Sequence, residues 1–196
     1  KVSDAPEAPL ASRMFDQAGT AYIEKYGANP DIFGKVSVKT RSHAVNNPYS
    51  LFANELTLEE VMNSPTIFPP YLTRFMACPP TCGAAAVVVC SEAFAKKHGI
   101  KANVEIVGQA MATDIADSWT DPMKLIGSEM TALAAKQVYE QAGMGPDAVQ
   151  VVELHDCFTT NEVITYEGLG LCGEGQAEQF INDKQNTYGG QFVVNP

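Results

Sequence analysis

An uninterrupted apolar run at residues 83–90 constrains the fold more than any other segment. It reads Gly-Ala-Ala-Ala-Val-Val-Val-Cys, so small and β-branched side chains occupy both faces of the element it forms. This pattern is typical of a strand covered on both sides. Residues 104–111 and 150–154 are two further strand candidates, and helical patterns separate the three. The alternation of strand and helix predicts a layered α/β sheet.

Helix signals fill the rest of the chain. The sequence predicts a first helix capped by Ser12 and stopped by Gly27, a second over residues 32–44, and a short third opened by a capping box at Thr57 and Glu60.

Further along, Ser91 is expected to cap a helix that ends at His98. A long amphipathic helix is predicted over 128–142 and a short one over 176–181.

Composition excludes several functional classes. Thirteen Lys and Arg against 23 Asp and Glu give a net charge of −10, which opposes non-specific binding to nucleic acid. No apolar run is long enough to cross a bilayer, and residues 1–6 lack the hydrophobic core of a signal peptide. Five cysteines, an odd number, indicate free thiols of a reducing compartment rather than a disulfide framework.

The candidate site follows the third strand candidate. His155, Asp156 and Cys157 come directly before a helix start, and ligands of α/β sheets collect where strands end and helices begin. If the strand continues, His155 and Cys157 share one face and Asp156 takes the other. Thr159 and Glu162 fit a second capping box, whose helix would turn its positive end toward His155 and favour a neutral ring. A neutral imidazole can donate a hydrogen bond to a developing oxyanion.

Other interpretations of these residues stay open. A histidine at a strand end is often a structural hydrogen-bonding group, and Cys157 fits a small buried hydrophobe as well as a reactive thiol. A Cys/His hydrolase is a weak competitor, because side chains on one strand stand parallel instead of converging. His43, close to two asparagines, is expected to be solvated. Cys78 and Cys82 have no second pair at zinc-site spacing, so no metal site is predicted.

The sequence resembles the thiolase domain of sterol carrier protein X, in the lipid-transfer-protein branch of the thiolase superfamily. The resemblance covers nearly the whole chain. Its motifs are His155-Asp156-Cys157-Phe158, Asn161-Glu162, Thr165-Tyr166-Glu167, Gly168-Leu169-Gly170-Leu171-Cys172, Asn186-Thr187-Tyr188-Gly189-Gly190, Val45-Asn46-Asn47-Pro48-Tyr49-Ser50 and Gly83-Ala84-Ala85-Ala86.

The resemblance implies a thiolase-like layered fold of two related α/β halves with an inserted helical loop domain, incomplete in this chain. Residues 1–66 would be the later part of the loop domain, 67–100 the end of the N-terminal half, and 101–196 the first part of the C-terminal half. The nucleophilic cysteine and the Gly-His-Pro motif of the family do not occur in the sequence. We therefore expect a fragment of a longer polypeptide that is inactive by itself.

The implied activity is thiolysis of a 3-oxoacyl-coenzyme A, with coenzyme A as a substrate and no permanently bound cofactor. His155 takes the place of an asparagine that holds an oxyanion-stabilising water in ordinary thiolases. Asp156, Cys157 and Phe158 would support it. Residues Thr81, Cys82 and Gly83 would bind substrate, although Cys82 replaces an aspartate of the branch.

Two alternatives accompany this expectation. One is a thiolase-fold aldolase that cleaves steroid side-chain thioesters with a zinc-ribbon partner protein. The other is a non-catalytic module that binds acyl-coenzyme A or lipid. The resemblance further implies a homodimer, located in the cytoplasm of a bacterium or the peroxisome of a eukaryote.

Overall fold

The computed structural model describes residues 8–196, so the prediction about a signal peptide at residues 1–6 lies outside it. This part of the chain is mixed α/β. Its helices are α1 (Leu10–Tyr26), α2 (Asp31–Ala44), α3 (Leu58–Met62), α4 (Glu92–Lys97), α5 (Pro122–Leu125), α6 (Ser128–Ala142), α7 (Thr159–Gly168) and α8 (Ala177–Asn182). Its strands are β1 (Thr66–Phe68), antiparallel to β2 (Leu72–Thr73), and β3 (Val151–Val152), parallel to β4 (Val193–Val194).

The ends of the predicted helices are mostly confirmed. Gly27 stops α1 with a left-handed φ of 69°, which glycine adopts without steric cost. The capping box of α3 is complete: the Glu60 N–H donates to Thr57 Oγ1 at 3.2 Å, and the Thr57 N–H donates to Glu60 Oε2 at 2.7 Å. Ser91 accepts the Phe94 N–H and so caps α4.

One predicted cap is wrong. The helix α1 begins at Leu10, two residues earlier than a cap at Ser12 requires, and Ser12 lies buried inside its first turn. The residue at the cap position is Pro9. Its side chain makes no capping hydrogen bond, but its ring fixes the backbone φ at the entry to the helix.

Two of the three predicted strands are wrong. Residues 83–90 and 104–111 have no strand structure, and Val88 is fully exposed. A strand forms only where a neighbour takes up its backbone hydrogen bonds, and no segment within residues 8–196 pairs with these two. The third is confirmed in part, because only Val151–Val152 of residues 150–154 is a strand.

The core lies where α1, α2, α7 and α8 meet. Its largest fully buried apolar side chains include Tyr22, Phe33, Tyr166 and Phe192. The helices approach closely at Gly19, where an added Cβ would stand 3.1 Å from both the Phe33 ring and Thr160 Oγ1. This contact fixes the first turn of α7 against α1 and α2.

The connection between β3 and α7 is held at both ends. At its start, β3 pairs with β4 in a two-stranded parallel sheet. At its end, Phe158 forms an isolated antiparallel bridge with Ala77, and the Cys78 N–H donates to the Cys157 carbonyl at 2.9 Å. Phe158 also stacks on Phe15, with ring centroids 4.6 Å apart.

Candidate functional site

His155 lies in the connection between β3 and α7. It is exposed, and its carbonyl accepts a hydrogen bond of 2.6 Å from Asn161 Nδ2 on the first turn of α7. The strand ends at Val152, so the alternation of faces that paired His155 with Cys157 does not extend to either residue. The structure nevertheless places His155 where a strand ends and a helix begins, as the sequence predicted.

The three residues after His155 differ in environment. Asp156 is half-buried and faces a cavity described below. Burial raises the pKa of the Cys157 thiol to about 11, with a further contribution from Cys78. A thiol with this pKa is protonated at neutral pH, which counts against the Cys/His hydrolase because the nucleophile must be a thiolate. Phe158 is buried and packs in the core.

The capping box predicted at Thr159 and Glu162 is wrong. The cap position of α7 is Phe158, and no side chain caps the helix. Glu162 instead points into the core, where it is 0% exposed, and forms an ion pair with Lys39 of α2. Pairing with Lys39 lowers the cost of burying the Glu162 carboxylate, so this side chain turns into the core instead of capping α7.

A buried polar network surrounds this ion pair. Glu162 Oε1 accepts from both Lys39 Nζ and the Tyr166 hydroxyl, and Lys39 Nζ also donates to the Val194 carbonyl at 3.0 Å. The Tyr166 hydroxyl accepts from Asn186 Nδ2 at 2.9 Å. Burial raises the pKa of Glu162, while the charge of Lys39 lowers it. The network joins α2 and α7 to the end of the described chain.

His43 belongs to the same face of α2 as Lys39. It is 5% exposed, so the prediction that it is solvated is wrong. Its Nδ1 lies 2.8 Å from the Asn195 carbonyl oxygen, and its Nε2 lies 2.7 Å from Thr187 Oγ1. A neutral ring with the proton on Nδ1 satisfies both contacts, and burial lowers the pKa of His43 accordingly.

Two adjoining cavities lie beside this network. The smaller, about 250 Å³, is bounded by α2, by the segment from Phe75 to Thr81, and by Asp156 and Thr159. The larger, about 520 Å³, extends it past Asn54 and Arg74.

Arg41 lines both cavities. Its guanidinium carbon lies 4.7 Å from the centre of the Phe52 ring, and its Nη1 donates to Asn54 Oδ1 at 3.2 Å. No carboxylate within residues 8–196 forms an ion pair with it. Burial lowers its pKa, yet a guanidinium stays charged at physiological pH. Arg41 therefore offers a stacked, unneutralised cation to an anionic ligand.

Two hydroxyl groups line the smaller cavity with no partner. Thr40 Oγ1 on α2 and Thr159 Oγ1 on α7 are both buried and make no hydrogen bond. A buried polar atom without a partner costs free energy, and a polar ligand group at this position recovers it. Neither hydroxyl was expected from the sequence, which predicted Thr159 as part of a capping box and singled out no feature at Thr40.

The predicted substrate-binding residues separate in the structure. Thr81 lines the smaller cavity, whereas Cys82 and Gly83 are exposed and line neither cavity. His155 also lines neither, although its neighbour Asp156 does. Within the described residues, no group of three or more His, Cys, Asp or Glu side chains is arranged to hold a metal ion. The same part of the chain has no helix of the length and apolarity that a membrane span needs.

Comparison with known proteins shows which family this chain resembles in sequence and fold. Residues 108–196 match the family model described as "Thiolase C-terminal domain-like". The chain is 46% identical over 191 residues to sterol carrier protein 2 of Rattus norvegicus, covering 96% of this chain and 35% of that protein. The chain belongs to the thiolase superfamily. It is also 41% identical over 175 residues to the benzoylsuccinyl-CoA thiolase subunit BbsB of Thauera aromatica, covering 89% of this chain and 45% of that protein.

The fold agrees with this assignment. A solved structure of the Ltp2-ChsH2(DUF35) aldolase superposes with a TM-score of 0.79 and 28% identity over 94% of this chain and 49% of that one. The chain therefore has part of a thiolase-like α/β fold, which confirms the family resemblance and the fold class. It spans about a third to a half of the length of these relatives. The division of the chain at residues 66 and 100 stays a prediction.

Proposed function

We propose that this chain supplies the oxyanion-stabilising histidine and part of the acyl-coenzyme A cavity of a thiolase that cleaves 3-oxoacyl-coenzyme A with coenzyme A. The observation that carries the proposal is the position of His155, exposed between β3 and α7 and held through its own backbone. The family match and the likeness to a benzoylsuccinyl-CoA thiolase subunit of Thauera aromatica support the reaction type.

The chemistry needs a hydrogen-bond donor for a negative oxygen. In thiolysis a nucleophile bonds the third carbon of the 3-oxoacyl thioester, the bond between the second and third carbons breaks, and its electron pair stays on the acetyl-coenzyme A enolate. The shortened acyl group then passes from the nucleophile to coenzyme A. In the proposed role, an imidazole N–H of His155 donates to the enolate oxygen, directly or through one water. Phe158 holds the segment by stacking on Phe15, while Cys157, protonated at neutral pH, takes no part as a nucleophile.

The cavities give coenzyme A a place to bind. Arg41 offers its cation to a phosphate or pyrophosphate group, and Thr40 and Thr159 offer hydroxyls to the polar atoms of the pantetheine arm. Thr81 contributes to the same wall, whereas Cys82 and Gly83 do not. A homodimer is proposed on family grounds alone, as is a peroxisomal location in a eukaryote or a cytoplasmic one in a bacterium.

A second candidate is the cleavage of a 3-hydroxyacyl thioester by a retro-aldol reaction with a partner protein. The likeness to the Ltp2-ChsH2(DUF35) aldolase favours it. The same hydrogen bond from His155 serves here, because this reaction also leaves an enolate on the thioester. The two candidates differ in the nucleophile, which only the thiolase needs.

The test is product analysis on the protein that carries this chain. It is incubated with a 3-oxoacyl-coenzyme A and coenzyme A, and separately with a 3-hydroxyacyl-coenzyme A, and the products are separated by chromatography. A shortened acyl-coenzyme A in the first mixture supports the thiolase. An aldehyde or ketone in the second supports the aldolase instead, and acyl-coenzyme A binding without turnover in either one supports a non-catalytic module.

The cavity is tested by acyl-coenzyme A titration of the Arg41→Gln variant. We expect its Kd to rise roughly tenfold, the order of one charge-assisted hydrogen bond. Lys97→Gln, which removes a charge from the exposed end of α4, is the matched control and should bind as the parent does. Equal affinity of both variants would place the coenzyme elsewhere.

A further inference from the structure

Asn195 directly follows β4 and contacts the segment that carries His155. We propose that Asn195 is a positioning residue for His155, fixing the place of the imidazole at the end of β3. The inference rests on the proposed function of His155 and adds a residue that no sequence motif singled out.

Three groups of Asn195 are bonded at once. Its N–H donates to the Val152 carbonyl at 2.8 Å, which continues the parallel pairing of β3 with β4. Its Oδ1 accepts the Leu154 N–H, also at 2.8 Å. Its carbonyl oxygen lies 2.8 Å from His43 Nδ1. The pairing of β3 with β4 ends at Val152, so no backbone carbonyl of β4 accepts the Leu154 N–H. The side-chain oxygen of Asn195 accepts it instead.

The backbone conformation explains why this residue is an asparagine. Asn195 has a φ of 50°, in the left-handed region that residues other than glycine rarely adopt, and asparagine is among those that tolerate it. Glycine tolerates the same φ but has no side-chain oxygen. Asparagine therefore provides both the turn and the acceptor.

The position of Asn195 is itself fixed by contacts with α2. His43 is buried on α2 and also contacts Thr187, and Lys39 on the same helix donates to the carbonyl of Val194. The core helix α2 therefore holds the residue from one side while the strand pairing holds it from the other.

The consequence concerns the backbone of His155. The preceding N–H, that of Leu154, is held by Asn195, and the carbonyl of His155 is held by Asn161. A shift of about 1 Å in a group that stabilises the transition state lowers the rate by roughly a hundredfold. Loss of the Asn195 side chain should therefore lower kcat more than it changes KM.

The test compares variants of the active protein that carries this chain. Asn195→Gly keeps the left-handed backbone but removes the acceptor, and we expect its kcat to fall roughly 10- to 100-fold with KM within about twofold. Asn195→Asp keeps an acceptor oxygen and should recover most of the rate. Asn182→Ala, which removes an exposed asparagine that accepts from Lys35, is the matched control and should leave kcat unchanged.

A double variant separates positioning from general damage to the fold. If Asn195 acts through His155, then Asn195→Gly combined with His155→Ala should be no slower than His155→Ala alone. Additive losses, or no rescue by Asn195→Asp, would overturn the inference. Should Asn195→Gly not fold, Asn161→Ala removes the donor to the His155 carbonyl, on the other side of His155 from Leu154. Its kcat should fall in the same way.

The proposed function and this inference fail in different ways. An unchanged kcat in His155→Ala overturns the proposed role of the histidine, and the positioning role with it. A large loss in His155→Ala together with an unchanged kcat in Asn195→Gly leaves the proposed function standing and overturns the inference alone.

Discussion

Replacement of Lys39 by methionine tests how the core is held together. The ammonium group of Lys39 is the only cation paired with Glu162 within residues 8–196, and both side chains are less than 10% exposed. Methionine has a similar length and no charge, so Lys39→Met leaves a carboxylate in the core without its counter-ion. Breaking a buried ion pair in this way costs about 3–5 kcal/mol of unfolding free energy.

A second variant separates the orphaned charge from the lost contacts. In Lys39→Met combined with Glu162→Gln, neither position carries a charge, and the main loss is the donor to the Val194 carbonyl. An unsatisfied buried acceptor costs about 1–3 kcal/mol, so the double variant should be more stable than the single one. Lys25→Met, which breaks an exposed ion pair with Glu174, should leave stability close to unchanged.

The assay is urea unfolding followed by circular dichroism at pH 7 and pH 5. Burial raises the pKa of Glu162 in the folded state, so the stability linked to this group is present at low pH and lost as pH rises through that pKa. Removal of Lys39 takes away the positive charge that lowers the pKa of Glu162, so this pKa rises further in the variant. The cost of Lys39→Met should therefore be smaller at pH 5 than at pH 7. A cost below 1 kcal/mol at both values, or a less stable double variant, would refute this account.

Two further predictions follow from the titrating groups. Burial raises the pKa of Cys157 to about 11 and of Cys172 to about 12. At pH 8, iodoacetamide should therefore label the exposed Cys78, Cys82 and Cys90 first, which peptide mass spectrometry measures. Early labelling of Cys157 would contradict its burial. Burial lowers the pKa of His43 in the folded state, so its contribution is present above pH 6.5 and lost as pH falls through the folded pKa. In thermal melts, the stability lost in His43→Gln should therefore shrink from pH 7 to pH 5, and a constant difference would show that His43 does not titrate there.

Local signals in the sequence predicted the helices well. The stop at Gly27 and the box at Thr57 and Glu60 depend on bonds within a few residues, and both appear as expected. The strand predicted at residues 83–90 depends on a partner segment, and within residues 8–196 none pairs with it. Apolar and β-branched composition says which residues prefer a sheet, but not whether a partner strand is present.

The place of His155 between a strand and a helix was predicted, whereas the contacts around it were not. The position of His155 at a strand end follows from sequence order alone. The pair Thr159 and Glu162 fits a capping box by spacing, and only packing against Lys39 decides that Glu162 turns inward. His43 could have been placed in the core, since it lies on the same helical face as Val36 and Lys39, but the neighbouring asparagines outweighed that periodicity.

The rate of the His155→Ala variant tests the central claim most directly. In the protein that carries this chain, kcat for cleavage of a 3-oxoacyl-coenzyme A should fall by about 10²–10³, the effect of removing one oxyanion donor, with little change in KM. His155→Gln, which keeps an N–H donor, should recover part of that loss. A kcat equal to that of the parent in His155→Ala would contradict the account and leave this chain with the thiolase fold but without the proposed chemistry.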